Sequence, residues 1–382
     1  MSDDIGVLSL YATADPTDEG SQPAWQARVR KDLKRLRDEL RKSSPRDRFS
    51  TIGNRLNELN QDVEAVLDAR APGRGRAMFA TLSNGHVERL TVQMPLSDQV
   101  EMGPRPALRP LLTAWSAAPP AGCVAVGAHE VRLVDIRMGS VTEVATIAHP
   151  EDLADRRELT GKGHATPTTT HHSSASHHDL FDKREEDRLL QYLHTLGPRV
   201  ADHAREFGWE CVVIAGDPKN VHAVAETIPE HLGADVVRTH HTGTSLSATK
   251  LAGVVREPLD KARIARYGRL AERVRNAAMS DNSDGGSCGL SRTLAALNEG
   301  RVAHLLLSAD GAWTGNRTPD GRLVAESETV PDVDPQALEP EPRLDERMID
   351  MALREGARVT VLDGSAAEPL ADTDGIGALL RW

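Results

Sequence analysis

Apolar and polar positions change rhythm repeatedly along the chain, and the rhythm predicts strands alternating with helices. Val7 to Ala12 (VLSLYA) reads as an opening strand, closed by the turn signals Asp15, Pro16 and Gly20. Trp25, Val29, Leu33, Leu36 and Leu40 then fall at helical spacing, which predicts an amphipathic helix from Pro23 to Lys42. A second helix is expected over Ile52 to Leu67. Gly73 and Gly75 lead into strands at Arg76 to Leu82 and His86 to Gln93, and Pro104 to Trp115 reads as a short helix. Pro119, Pro120 and Gly122 mark a boundary, so residues 1–118 are expected to form a first α/β domain.

Three strand-like runs follow, Cys123 to Gly127, Val131 to Arg137 and Ser140 to Ile147. A polar segment separates them from a helix whose start resembles a capping box (Asp182, Glu185). Its apolar stripe runs Leu189, Leu193, Leu196, Val200, Ala204, Phe207 and ends at Gly208. Trp209 to Ala215 reads as a buried strand, Val221 to His231 as a helix, Ala234 to Arg238 as a strand and Ser245 to Val255 as a helix. Residues 119–256 are therefore expected to be a middle domain carrying a long polar loop over 159–181. A third unit, 257–382, begins near Pro258 with a long helix through Ile264, Leu270, Val274 and Met279, broken at Asn282 to Gly286. Leu290 to Asn298 is a helix, Val302 to Ser308 a strand, and the acidic, proline-rich Pro319 to Pro342 a linker. Helix Asp345 to Glu355, strand Val359 to Leu362 and the run GIGALLRW complete it. The expected fold class is α/β, with helices packed on parallel or mixed sheets, and no internal repeat is visible.

The polar segment changes the picture. Leu159 to His178 (LTGKGHATPTTTHHSSASHH) holds no carboxylate, one lysine (Lys162) and five histidines, His164, His171, His172, His177 and His178. Such a composition buries too little apolar surface to offset its conformational entropy, so a polar loop is expected. A loop longer than about 12 to 15 residues inside a compact chain is usually either functional or simply disordered.

Formal charge is −11 over the 382 residues, so any contact with nucleic acid must come from local patches. One such patch is the outer face of the first helix, where Arg28, Arg30, Lys31, Lys34, Arg35, Arg37, Arg41 and Lys42 outnumber Asp32, Asp38 and Glu39. It reads either as a solvated face with ion pairs one turn apart or as a surface for phosphate. No apolar run approaches the roughly 20 residues of a membrane span, and MSDDIGVLSL lacks the order of a signal peptide, so a cytoplasmic protein without membrane contact is expected. The three cysteines, Cys123, Cys211 and Cys288, are far apart and read as free thiols.

Familiar catalytic patterns fail on spacing. Gly161, Lys162 and Gly163 lack the glycine spacing of a phosphate loop, and the histidine doublets match no tetrahedral metal pattern. Neither a nucleophile elbow nor a cysteine with a placed base appears, and Cys288 in GGSCG reads as part of a helix cap. No cofactor is expected.

The sequence of elements, three strands, a long polar loop, a long helix and a buried strand ending in Ala215-Gly216, resembles the middle domain of the archaeo-eukaryotic class-1 peptide release factors. LSRTLAALNEGRVAHLLLS at Leu290 to Ser308 and the terminal Gly375-Ile376-Gly377-Ala378-Leu379-Leu380-Arg381-Trp382 resemble the third domain of that superfamily. The resemblance covers about residues 120 to 382 and implies a three-domain, release-factor-like architecture with mixed sheets and an αβα-sandwich C-terminal domain. In the family the polar loop carries Gly-Gly-Gln; here no glutamine lies between Gln99 and Gln191. The chain is in this respect similar to Balon-type hibernation factors, which lack the triplet. The resemblance implies a ribosome-binding protein that fills the A site near the peptidyl-transferase centre, with an EF-Tu-type translational GTPase as an associated partner. Ribosomal RNA favours a segment that sheds carboxylates and keeps donors. The expected RNA-binding residues are accordingly Lys162, His164, Thr168, His171, His172, His177 and His178, with Lys183, Arg184 and Arg188 at the loop's root and Arg30, Lys31, Lys34 and Arg35 on the first helix. The alternative is a divergent peptidyl-tRNA hydrolase in which His164 or the His171/His172 pair replaces glutamine. A third reading keeps the fold for another partner.

Overall fold

The computed structural model describes residues 1–15, 18, 23–43, 45–150, 184, 186–240, 246–280, 285–328, 331 and 333–382. It is a mixed α/β protein that divides into two compact units, one formed by Met1–Ala118 with Tyr267–Trp382 and the other by Pro119–Arg266.

The first unit opens on strand β1 (Val7–Thr13), followed by helices α1 (Ala24–Ser43), α2 (Arg46–Glu58) and α3 (Asn60–Leu67). Strands β2 (Gly75–Thr81), β3 (Val87–Val92) and β4 (Gln99–Gly103) come next, then helix α4 (Arg109–Ala117). β1 is central in an antiparallel sheet of order β3-β2-β1-β4, which explains why it is buried from Val7 to Ala12. Alternate residues Leu8, Leu10 and Ala12 face Trp25, Val29, Ile52 and Leu56 of the helices. Between them Tyr11 donates its hydroxyl to Ala107 O at 2.5 Å, and Ser9 Oγ accepts from Ala107 N at 2.9 Å. Buried Arg76 donates to Val66 O (2.8 Å) and Asp68 O (2.5 Å), satisfying carbonyls left open at the end of α3, and stacks over Trp25 at 5.4 Å. The single helix expected over Ile52 to Leu67 is thus two helices meeting at Leu59, and β4 was not expected at all.

The second unit begins with β5 (Ala121–Val126), β6 (Glu130–Arg137) and β7 (Ser140–Ala148). Residues 186–193 form helix α5, and α6 (Gly197–Phe207), β8 (Cys211–Gly216), α7 (Pro218–Glu226), β9 (Asp235–His240) and α8 (Ala248–Met279) follow. The sheet has order β7-β6-β5-β8-β9, with β5, β8 and β9 parallel and β6 and β7 antiparallel. Two clusters of buried residues lie here, one around Leu133, Leu193, Leu196, Val200 and Trp209, the other around Cys123, Val213, Leu251 and Val255. The helix expected from Asp182 to Phe207 is interrupted at 194–196, because Gly197 and Pro198 restart it: proline is favoured in a first helical turn and disfavoured inside. Gly197 is also packed so closely on Thr227 that a Cβ would fall 2.3 Å from its carbonyl carbon. Conversely, Pro258, read as a boundary, lies inside the continuous α8. A helix of 32 residues tolerates the loss of one internal hydrogen bond that would end a short one.

The remainder of the first unit holds β10 (Gly286–Cys288), α9 (Leu290–Asn298), β11 (Val302–Ser308), the short strands β12 (Gly315–Arg317), β13 (Leu323–Ala325) and β14 (Glu339–Glu341), α10 (Leu344–Arg354), β15 (Arg358–Leu362) and β16 (Ile376–Leu380). A mixed sheet of order β10-β16-β11-β15 pairs β11 parallel to β15 and antiparallel to β16. The GIGALLRW run is β16 with its flanking residues. Gly375 has φ +65, its N–H bonds Leu370 O at 3.0 Å and its O accepts from Ser308 N at 2.8 Å, a left-handed turn that a side chain would strain. The Pro319 to Pro342 stretch is a linker only in part: β12, β13 and β14 form a three-stranded sheet, and Leu323, Val324 and Ala325 are buried.

Within this unit α4 is capped from far along the chain. The Glu346 carboxylate accepts from Leu108 N (2.7 Å) and Arg109 N (3.1 Å), taking amides that no side chain of α4 itself satisfies. Arg109 donates to Asp345 Oδ2 (2.7 Å) and to the carbonyls of Ala309 (3.0 Å) and Gly311 (2.6 Å), and lies over Trp313 at 5.4 Å. Arg105–Asp350 (2.8 Å) and Arg343–Glu101 add to this polar seam.

Candidate RNA-facing site

The polar segment is attached where β7 ends and α5 begins. β7 reaches the β5–β6 turn through the amide of His149, which donates to His129 O at 2.8 Å. The His149 ring is buried, its Nε2 lies 3.2 Å from Gly127 O, and it forms an edge-to-face pair with Tyr192 of α5, ring centroids 5.5 Å apart. Tyr192 in turn donates its hydroxyl to Ala148 O at 3.1 Å. Strand end and helix are therefore fastened together by one aromatic pair and one hydrogen bond, and the strand end is tied to the β5–β6 turn by the His149 amide and ring.

Arg184 and Arg188 at this root are exposed, and neither has an ion pair among the described residues. Lys219, at the start of α7, bonds Glu186 Oε1 at 2.5 Å, which raises the lysine above its ordinary range through that hydrogen bond and the carboxylate's charge. The acid that the segment itself lacks is thus present on α5, partly neutralised. Lys162, His164, Thr168, His171, His172, His177, His178 and Lys183 lie outside the described residues.

The basic face of α1 is sorted by the fold. Arg30 pairs with Glu64 (2.9 Å), Arg35 with Asp32 (3.0 Å) and Arg28 with Asp98 (2.9 Å), while Arg37 reaches Leu56 O and Asn60 Oδ1, both at 3.4 Å. Lys31, Lys34, Arg41 and Lys42 are exposed without an ion pair among the described residues. Arg46 and Arg48 on α2 continue that set, and the sequence reading missed them. The signal was present in the spacing: only Ser43, Ser44 and Pro45 separate Lys42 from Arg46. The unpaired charge therefore runs from Lys31 and Lys34 to the α1–α2 corner, while Arg30 and Arg35 are engaged by Glu64 and Asp32.

Among the described residues no group of three or more His, Cys, Asp or Glu could hold a metal ion, and no helix is long and apolar enough to cross a membrane. Cys123 and Cys211 are buried free thiols, each pushed up to about 12 by burial. Cys288 is half-buried and also raised by burial. None has the lowered pKa of a nucleophile.

Comparison with known proteins gives one family match: residues 106–258 fit the model of bacterial archaeo-eukaryotic release factor family 10. No curated protein matches. Among solved structures the chain is similar to the archaeal translation termination factor aRF1 (14% identity over 98% of this chain and 92% of that one, TM-score 0.24). It is also similar to archaeal Pelota from a ribosome-bound complex with ABCE1 (15% identity, 81% and 77%, TM-score 0.41). A third is Dom34 of S. cerevisiae, a translation termination-like factor (10% identity, 71% and 64%, TM-score 0.39). The matched segment takes in α4, the whole five-stranded sheet and the first part of α8, and over that segment the chain is similar to the bacterial archaeo-eukaryotic release factors.

Proposed function

We propose that this protein is a ribosome-binding translation factor that occupies the A site of stalled or dormant ribosomes and does not itself hydrolyse peptidyl-tRNA. The observation that carries the reading is the contrast within one sequence. The family-10 match spans a segment whose polar stretch has no glutamine between Gln99 and Gln191, while Leu159 to His178 has no carboxylate in a chain of charge −11. Removing acid from one stretch of an acidic protein suits an approach to phosphate, and serine, threonine, lysine and histidine supply donors and flat faces for bases. Lys162, His164, Thr168, His171, His172, His177 and His178 are the proposed RNA contacts of the segment. Lys183, Arg184 and Arg188 would anchor its root on phosphate.

The exposed cations Lys31, Lys34, Arg41, Lys42, Arg46 and Arg48 would make a second, sequence-independent contact. Arg30 and Arg35, engaged with Glu64 and Asp32, serve that contact less. The three-part division at 118 and 256 belongs to the same proposal, as do a cytoplasmic location and delivery by an EF-Tu-type GTPase.

Sedimentation of tagged protein from growing and stationary cells tests the reading; it predicts co-migration with ribosomes in at least one state, and absence from ribosomal fractions in both would end it. Purified protein added to ribosomes carrying labelled peptidyl-tRNA separates it from the hydrolase alternative. No release above background is expected. Release that falls when the five loop histidines are replaced would establish the enzyme instead.

A further inference from the structure

We propose that the joint between the end of β7 and α5 is a proton-operated clasp, closed while the His149 ring is neutral and open once the ring carries a proton. Hydrogen-bond inventory fixes the resting tautomer. His149 is 7% exposed, and its Nε2 faces Gly127 O at 3.2 Å, which places the ring proton on Nε2. Nδ1 is then a bare acceptor, and it is buried with no partner among the described residues. A neutral imidazole meets this geometry at modest cost. Protonated, the ring would bury a second N–H and a full charge, with no acceptor at Nδ1 among the described residues.

Among the described residues, the charged or titratable groups that reach the ring are His129 and Glu130 on the β5–β6 turn and the start of β6, and the Tyr192 phenol of α5. Burial and the neighbouring His129 hold the His149 imidazole below the ordinary histidine range, and Glu130 opposes them only in part. The ring is also the piece that couples the two elements. It packs on Tyr192 in an edge-to-face pair, the His149 amide holds the β5–β6 turn, and the Tyr192 hydroxyl holds Ala148 O. Ejecting the ring removes the packing that keeps Tyr192 over the strand end.

The sign follows from linkage. The open state binds a proton with the ordinary affinity of histidine, about 6.5, and the closed state binds it more weakly, so opening is favoured as pH falls below that value. At pH 5.0 the opening equilibrium should exceed its value at pH 7.5 by up to about thirtyfold. The clasp stands apart from the ribosomal reading and needs no ribosome to be tested.

Hydrogen exchange on the full chain at pH 7.5 and 5.0, corrected for intrinsic rates, reads it at peptides covering 144–150 and 186–195. Protection there should fall at pH 5.0, by up to about thirtyfold, in the wild type. It should stay level in His149→Phe, which keeps an aromatic ring against Tyr192 and cannot titrate. Equal protection at both pH values in the wild type, or the same loss in His149→Phe, overturns the proposal. Should the variant not fold, NMR of the His149 ring in the wild type decides alone: a midpoint below 6.5 with release of Tyr192 on protonation supports the clasp, and a midpoint at or above 6.5 refutes it.

Discussion

The Trp209 indole lies flat against Gly122 of β5, so closely that a Cβ at position 122 would fall 2.2 Å from Cε3 of the ring. The ring is fixed from its other side as well. Trp209 Nε1 donates to Asp135 Oδ1 at 2.7 Å, and Arg137 holds both oxygens of the same carboxylate at 2.7 Å. Trp209 thus has no room to retreat without unpairing a buried acid. Gly122→Ala should destabilise the Pro119–Arg266 unit by about 2–3 kcal/mol, in line with overpacked cores. Urea unfolding followed by tryptophan fluorescence measures it.

The polar seam around α4 makes a second prediction. Asp345 is buried, its closest cation is Arg109 at 2.7 Å, and Arg343 is more distant at 3.6 Å. Arg109→Met keeps the stem over Trp313 but leaves Asp345 short of its main partner and removes the guanidinium donor from the carbonyls of Ala309 and Gly311. A loss of about 3 kcal/mol is expected, as for other buried pairs broken from one side. Glu346→Ala should cost about 1 kcal/mol by uncapping α4. Thermal unfolding of the two variants gives the order of the effects.

Acid should weaken the same unit through His304. Burial and the Arg358 and Arg273 guanidinium groups hold this ring at about 4, and its Nε2 lies 2.8 Å from Thr360 Oγ1. Because the folded value is below the unfolded one of about 6.5, the unfolded chain binds more protons between them. The contribution of neutral His304 is complete above pH 6.5, is lost as pH falls toward 4, and is level below that. The amount is on the order of 3 kcal/mol. Comparing the stability of wild type and His304→Gln at pH 7 and pH 4.5 checks it: the gap between them should narrow at the lower pH.

Much of this framework could be read from the chain, and what could not has physical reasons. Helix Leu290–Asn298 and strand Val302–Ser308 were placed to the residue, because a helical stripe and an apolar run are set off by Gly289 and Gly300. Strand Gln99–Gly103 was missed because QVEMG pairs through its backbone beside β1 and carries no alternating pattern. Gly197-Pro198 and Pro258 were misjudged in opposite directions, since the same residue type starts one helix and is absorbed by another. The α1 cations were visible, but which of them Glu64, Asp32 and Asp98 engage depends on partners up to 70 residues away. The histidine-rich segment was legible in composition alone. Its fastening at His149 and Tyr192 was not, because nothing local in the sequence joins a strand end to a helix 43 positions on.

Thiol chemistry follows from burial. At pH 8 a soluble disulfide reagent should leave Cys123 and Cys211 untouched, because both are buried with values near 12, and any native reaction should come from Cys288. All three should react in denaturant. Native modification of Cys123 or Cys211 would contradict the burial described.

Charge reversal separates the two halves of the α1 face. Lys34→Glu with Lys42→Glu should leave unfolding unchanged within about 0.5 kcal/mol and weaken binding to ribosomes. The dependence of log affinity on log salt should fall by roughly one unit for each phosphate that is no longer neutralised. Arg30→Ala should cost at most about 1 kcal/mol of stability, as an exposed pair with Glu64, and change the salt slope less.

The central claim is that Leu159 to His178 enters folded ribosomal RNA. A photo-reactive amino acid placed at position 171 of the purified chain, irradiated in the presence of ribosomes with an empty A site, tests this directly. The account predicts cross-links to large-subunit RNA of the peptidyl-transferase centre. Cross-links confined to the protein's own chain would contradict it.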